Sequence, residues 1–213
     1  MVLFNTEELY EIATSFFGII IAIIVIKYGG IAGLGKMTLS TLAKDFLVIT
    51  ITLGIAFIFH EMAHKFVAMQ YGFDAKFKAF NIGIAIMLIM ALFPIGFLIL
   101  APGAVMINQI TNKTISKRTL GIIALAGPLM NILLAFFFLI VINSQLPFLL
   151  PYLLGFGTAQ EYIDIFVFSV RVNSLLALFN LLPFFIFDGA KIINWDGGVW
   201  IVVTLIALAL YIL

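Results

Sequence analysis

Ile55-Ala56-Phe57-Ile58-Phe59-His60-Glu61-Met62-Ala63-His64 is an apolar run that closes on three polar side chains at fixed spacing, and it holds both histidines of the chain. Residues four apart lie on one helix face a turn apart, so the two imidazoles can converge on one Zn²⁺. Glu61, beside the first of them, is then placed to act as general base toward water at that metal. A charged residue at mid-membrane costs on the order of 2.5 to 3.5 kcal/mol even on a lenient insertion scale, so three polar groups in such a helix call for a compensating partner. A metal is one. The competing reading, a chance match at three positions in five, leaves that cost unexplained.

The rest of the chain places this helix in a bilayer. Of 213 residues, 64% are hydrophobic and only 10% charged, against roughly a quarter charged in soluble domains. Several stretches exceed the ~18 apolar residues that span a hydrocarbon core. The net charge is +1, and no basic run with interleaved aromatics marks a nucleic-acid surface. With no cysteine, disulfides, thiolate metal sites and a cysteine nucleophile are excluded. The polar, acidic stretch Met1 to Glu11 lacks the basic region and cleavage site of a secretory signal, so Ile12 onward is expected to persist as a span.

Five segments read as spanning helices: Ile12 to Tyr28, Phe46 to Tyr71, Thr119 to Ile142, Tyr162 to Leu182 and Gly198 to Leu213. A sixth, Asn81 to Leu100, is long enough to cross but is interrupted or closely followed by Pro94, Gly96, Pro102 and Gly103. The stretch Asn143 to Gln160 reads as an apolar loop punctuated by Pro and Gly. The expected fold is an α-helical polytopic membrane protein. It has about five to six transmembrane helices, a re-entrant or hairpin segment, and a short β element near the active site. One membrane-embedded domain takes the whole chain, with a core at 46–191 and peripheral helices at 12–28 and 198–213.

Two histidines leave a catalytic zinc one protein ligand short. Among the remaining acidic residues only Asp188 follows a long apolar run, Leu175 to Phe187. Asp188-Gly189 is read as the third ligand in preference to a plain turn, the ordinary reading of such a pair.

Taken together these residues resemble the site-2 proteases, intramembrane zinc metalloproteases, over roughly Phe46 to Lys191. Three matches carry the resemblance: His60 to His64, the Gly127-Pro128-Leu129-Met130-Asn131 segment, and Asn180-Leu181-Leu182-Pro183 followed by Asp188-Gly189. It implies that His60, His64 and Asp188 hold one Zn²⁺ and that Glu61 is the catalytic base. Ala101-Pro102-Gly103-Ala104-Val105 resembles the family's strand near the active site, so Gly103, Ala104 and Val105 are candidates for pairing with an extended substrate. The family commonly has a second proline and a leucine before the aspartate, where this chain has Ile186 and Phe187, and a second glycine where it has Ala190.

Orientation follows from the metal. The positive-inside count is seven basic residues to three whether Asn81 to Leu100 crosses or re-enters, so charge does not decide. A crossing would put His60 and His64 on the opposite face from Asp188, too far apart for bonds of ~2 Å to one ion. The N-terminus is therefore expected to be cytoplasmic, with a re-entrant Asn81 to Leu100 and the active site nearer the cytoplasmic face. Lys65, Lys76, Lys78, Lys113, Lys117, Arg118 and Lys191 form the inside set.

Asn131 is either an oxyanion or substrate contact or an interhelical hydrogen bond. Asn180 supports the site or contacts substrate. Arg171, seven residues from Asp164, suits a structural ion pair or a snorkelling side chain. The expected activity is zinc-dependent endopeptidase cleavage of membrane-anchored proteins. The alternatives are a membrane metal-binding protein and a silent homologue that binds membrane proteins.

Overall fold

The computed structural model describes residues 4–93, 102–108, 115–184 and 187–213. Helix α1 (Thr6–Lys27) starts on an Asn5 cap whose side chain accepts the Glu8 N–H. It begins six residues before the expected span, so Glu7, Glu8 and Glu11 are helical rather than a polar leader. A 3₁₀ turn (Gly30–Lys36) leads into α2 (Leu39–Ile49), a π-helical stretch (Thr50–Gly54) and α3 (Ile55–Gln70). Together these run continuously from Leu39 to Gln70, 32 residues, so the histidine-bearing segment starts earlier than Phe46.

The chain then forms strand β1 (Asp74–Ala79), helix α4 (Asn81–Leu92) and strand β2 (Gly103–Asn108). The strands pair antiparallel, with Ala79 opposite Gly103 and Phe77 opposite Val105. Phe80 N–H donates to the Pro102 carbonyl at 2.9 Å. The excursion that begins with α4 therefore leaves and re-enters the sheet at one place. Residues 94–101, which include part of the expected re-entrant segment and Ala101, lie outside the described residues.

Helix α5 (Lys117–Ile142) contains Pro128, and α6 (Leu146–Leu154), a helix where a loop is expected, opens with Pro147 in its first turn. Proline fits there because the first-turn N–H needs no partner. Helix α7 (Ala159–Asn180) starts on a capping box of Thr158 and Glu161. Short α8 (Asp188–Trp195) and α9 (Gly197–Ile212) follow. The segments α1, Leu39–Gln70, α5 and α7 are each long and apolar enough to cross a membrane. Helix α9 has 16 residues, about 24 Å at 1.5 Å per residue, and α4 is shorter still, so the expected five to six spans rest on these two.

Two apolar clusters flank α3. One joins α1, the start of the 39–70 segment, β1 and α4 through residues such as Ile20, Leu53, Phe77 and Met87. The other joins α5, α7, α8 and α9 through Ala135, Ala177, Ile192 and Ala207. The histidines of α3 lie between them.

Candidate metal centre

His60 and His64 project from one face of α3 into α5, and α5 is shaped to receive them. A Cβ on Gly127 would lie 2.3 Å from His64 Nε2 and 2.6 Å from His60 Nε2, so only glycine leaves room there. Pro128 brings no N–H to the Ala124 carbonyl, and the carbonyl before it, Ile123 O, accepts His64 Nδ1–H at 2.7 Å. One turn beyond Gly127, Asn131 Oδ1 accepts His60 Nδ1–H.

The orientation of that amide is fixed by its neighbours. Asn131 Nδ2 donates at 3.1 Å both to Ala56 O, which can only accept, and to Asn173 Oδ1. Asn173 Nδ2 in turn donates to Ser169 O at 2.9 Å. Asn131 is fully buried with both amide hydrogens engaged, which leaves none for a substrate oxygen. The Asn131 side chain thus bonds α3 and α7 from α5. Asn173 and Ser169 were not singled out from sequence, because nothing local distinguishes them from other small polar residues of a span.

With both Nδ1 atoms committed as donors, the neutral rings turn lone pairs on Nε2 toward each other, 3.1 Å apart. Asp188 Oδ2 completes the group, 3.0 Å from His64 Nε2 and 3.5 Å from His60 Nε2. Three acceptors crowd together with no donor among them when both rings are neutral, an arrangement that a bound cation would relieve. Ligands at ~2.0–2.1 Å from a tetrahedral zinc lie about 3.3 Å apart, which these separations straddle. His60, His64 and Asp188 are all buried and together could hold a metal ion.

Asp188 is delivered by the first turn of α8. A Cβ on Gly189 would lie 2.1 Å from the Leu181 carbonyl oxygen, so the glycine lets α8 sit directly on the end of α7. Trp200 Nε1–H donates to that same carbonyl at 2.7 Å. Lys191 Nζ, one turn on, donates to Asp188 Oδ1 at 3.0 Å. Among the departures from the family pattern, Phe187 packs edge-on against Phe179 at 4.7 Å, Ala190 is buried, and Ile186 lies outside the described residues.

Glu61 lines a cleft of about 500 Å³ shared by His60, His64, Asp188, Val105 and Asn180. Asn180 Nδ2 donates to Leu176 O at 2.9 Å, which ties it to its own helix. Gly103 and Ala104 also line the cleft. Arg171 is exposed and no ion pair links it to Asp164, which accepts from Gln160 instead. Lys65, counted with the inside cations from sequence, is 1% exposed and paired with Glu8.

A family model described as Peptidase family M50 matches residues 48–162. A Methanocaldococcus jannaschii protein, "Putative zinc metalloprotease MJ0611", is 37% identical over 160 residues, 75% of this chain and 76% of its own. A Bacillus subtilis protein, "Putative zinc metalloprotease YwhC", is 35% identical over 153 residues, 68% of this chain and 67% of its own. No solved structure matches the chain.

Proposed function

Because the chain belongs to peptidase family M50, and so is a zinc metallopeptidase of the membrane, we propose that it cleaves membrane-anchored proteins within or beside their membrane-spanning segments. Zinc is held by His60, His64 and Asp188, and Glu61 is the general base. The observation that carries this reading is the convergence of three acceptor atoms beside a carboxylate that lines a cleft.

Zinc bound there supplies Lewis acidity, polarising the scissile carbonyl and making a water proton labile near neutral pH. Glu61 takes that proton and passes it to the leaving amine. Asn131 and the Ile123 carbonyl are positioning groups: they fix which nitrogen of each ring is free and where it points. Asn180 supports the end of α7 where the cleft opens.

A helical substrate hides its amides, so it must be extended before attack. The hairpin offers an edge for that. In an antiparallel pair the main-chain groups of successive residues alternate between partner and outside. Phe77 and Ala79 turn their N–H groups away from β2, so Val105 and Gly103 opposite them turn theirs away from β1, toward the cleft. A substrate segment that adds there lies along Gly103, Ala104 and Val105 beside Glu61.

Orientation follows from shared ends. The end of α3, the end of α7 and the start of α1 meet around this site, and the chain from Ala79 comes back to Gly103. This supports an excursion that enters the membrane and returns, protected by packing against α1, since open backbone is not tolerated in lipid. With Lys76, Lys78, Lys117, Arg118 and Lys191 on that side, the N-terminus and the active-site face are cytoplasmic.

Glu61→Gln tests the assignment. The variant is expected to retain one zinc per chain and to lose cleavage of a single-span test protein, and a chelator should abolish cleavage by the parent. Retained cleavage in the variant would remove Glu61 as base, and one bound zinc with no cleavage by the parent would make the chain a silent relative.

A further inference from the structure

Glu8, Glu11 and Ser15 follow one another at spacings of three and four on α1, and so share a helix face. That face lies along the outer edge of the hairpin. Glu8 Oε1 accepts the Phe77 N–H at 2.8 Å and Glu11 Oε2 accepts the Ala79 N–H at 2.9 Å. Ser15 Oγ donates to the Pro102 carbonyl at 2.9 Å, the same oxygen that takes the Phe80 N–H. Two side chains of the helix, Glu8 and Glu11, thus occupy donor positions on β1 that a third strand would fill, and Ser15 adds a bond to the carbonyl that closes the Phe80–Pro102 end of the hairpin.

The stripe is also tied to the metal-bearing helix. Lys65, the residue after His64, bonds the Glu8 oxygen that holds Phe77. Lys65 is 1% exposed and Glu8 4%. A buried carboxylate and ammonium are kept charged only by each other and by further hydrogen bonds. Glu8 therefore joins α1, α3 and β1 at one point, through the residue next to His64.

We infer that Glu8, Glu11 and Ser15 are positioning residues for the substrate strand. Glu8 and Glu11 seal the outer edge of β1 while Ser15 fixes the Pro102 end of the hairpin, which among the described residues leaves the Gly103 and Val105 edge of β2 open to an incoming segment and holds that edge at the height of Glu61. The inference rests on the strand-pairing reading above. It assigns to the start of α1 a role that a spanning helix needs for no other reason: a helix held by apolar packing alone has no use for two carboxylates and a hydroxyl aimed at strand backbone.

The experiment compares Glu11→Ala, Ser15→Ala and the charge-neutral double variant Glu8→Gln with Lys65→Met, which avoids leaving one buried charge unpaired. Three readouts apply to the full chain in detergent: zinc affinity by competition with a chromogenic chelator, kinetics on fluorescein-labelled casein, and amide exchange followed by mass spectrometry. Loss of one or two strand-positioning hydrogen bonds should raise KM about three- to tenfold. kcat and zinc affinity should stay within about twofold, the pattern of lost substrate binding rather than lost chemistry. Exchange should rise in 74–80 and 103–108 while α3 stays protected. Unchanged exchange in both strands, or a KM equal to that of the parent, overturns the inference. A general fall in zinc affinity and protection would mean that the stripe merely supports the fold, and overturns it as well. Val105→Pro separates this from the underlying reading, since it removes an outward amide of β2 itself. If that variant leaves KM unchanged, strand pairing fails. If it raises KM while the α1 variants do not, the stripe alone fails. Should the parent not cleave casein, the exchange arm decides.

Discussion

His60 and His64 reach the candidate metal centre from a segment of 32 residues, each ring turned by an oxygen of α5, whereas Asp188 reaches it from an eight-residue helix seated on the end of α7. The imidazole half is fixed by buried interhelical hydrogen bonds that continue through Asn131 to Asn173 and Ser169. The carboxylate half is fixed by backbone contact at Gly189 and by the half-exposed ammonium of Lys191. The difference teaches where precision comes from. Two ligands on one helix share a spacing and need only their rotation set, while the third must be brought from elsewhere and needs a seat.

Breaking the comparison outright should have the largest effect. Asp188→Ala removes the carboxylate half and is expected to abolish stoichiometric zinc, measured by elemental analysis of purified protein, while the helices remain folded by circular dichroism. Gly127→Ala attacks the imidazole half by volume alone, since its Cβ would sit 2.3 Å from His64 Nε2. Alanine favours helix over glycine by about 1 kcal/mol in an exposed interior, so a loss of zinc here despite better propensity would identify space as the cause.

Smaller changes sharpen the contrast. Asn131→Ala leaves His60 Nδ1–H without its partner, and loss of such a supporting group costs about 10- to 100-fold in metal affinity; competition titration measures it. Lys191→Met should cost least, about two- to fivefold, because an ion pair open to water is worth less than about 1 kcal/mol. That loss should shrink further as salt is added, whereas the Asn131→Ala loss should not. Equal, salt-independent losses for the two would erase the distinction between the halves.

How much of this could be read from the sequence differs between the halves in the same way. The spacing of His60, Glu61 and His64 is local, and one helix turn is enough to interpret it. Asp188 could be approached by asking which acidic residue follows an apolar run, but its seat on Leu181 depends on how α8 folds back, which no spacing encodes. Asn131 drew notice through its segment, yet whether its amide faced substrate or His60 was decided by Ala56 O and Asn173 Oδ1, contacts 75 and 42 residues distant. Lys65 and Glu8 read as ordinary surface charges because each lies near the end of an apolar run, where charges are usually solvated. Their burial depends on β1 arriving beside the pair, where the Phe77 N–H joins the same Glu8 oxygen. The hairpin was anticipated only in its second strand, because β1, with Lys76 and Lys78 on its exposed side, reads as a polar linker until β2 is placed beside it.

The central claim, that one zinc is gripped by His60, His64 and Asp188 together, is tested most directly by anomalous diffraction at the zinc edge from crystals of the purified protein. A single strong peak is predicted among the two Nε2 atoms and Asp188 Oδ2, and it should vanish in crystals of Asp188→Ala. A peak held by other side chains, or one that survives that substitution unchanged, would contradict it.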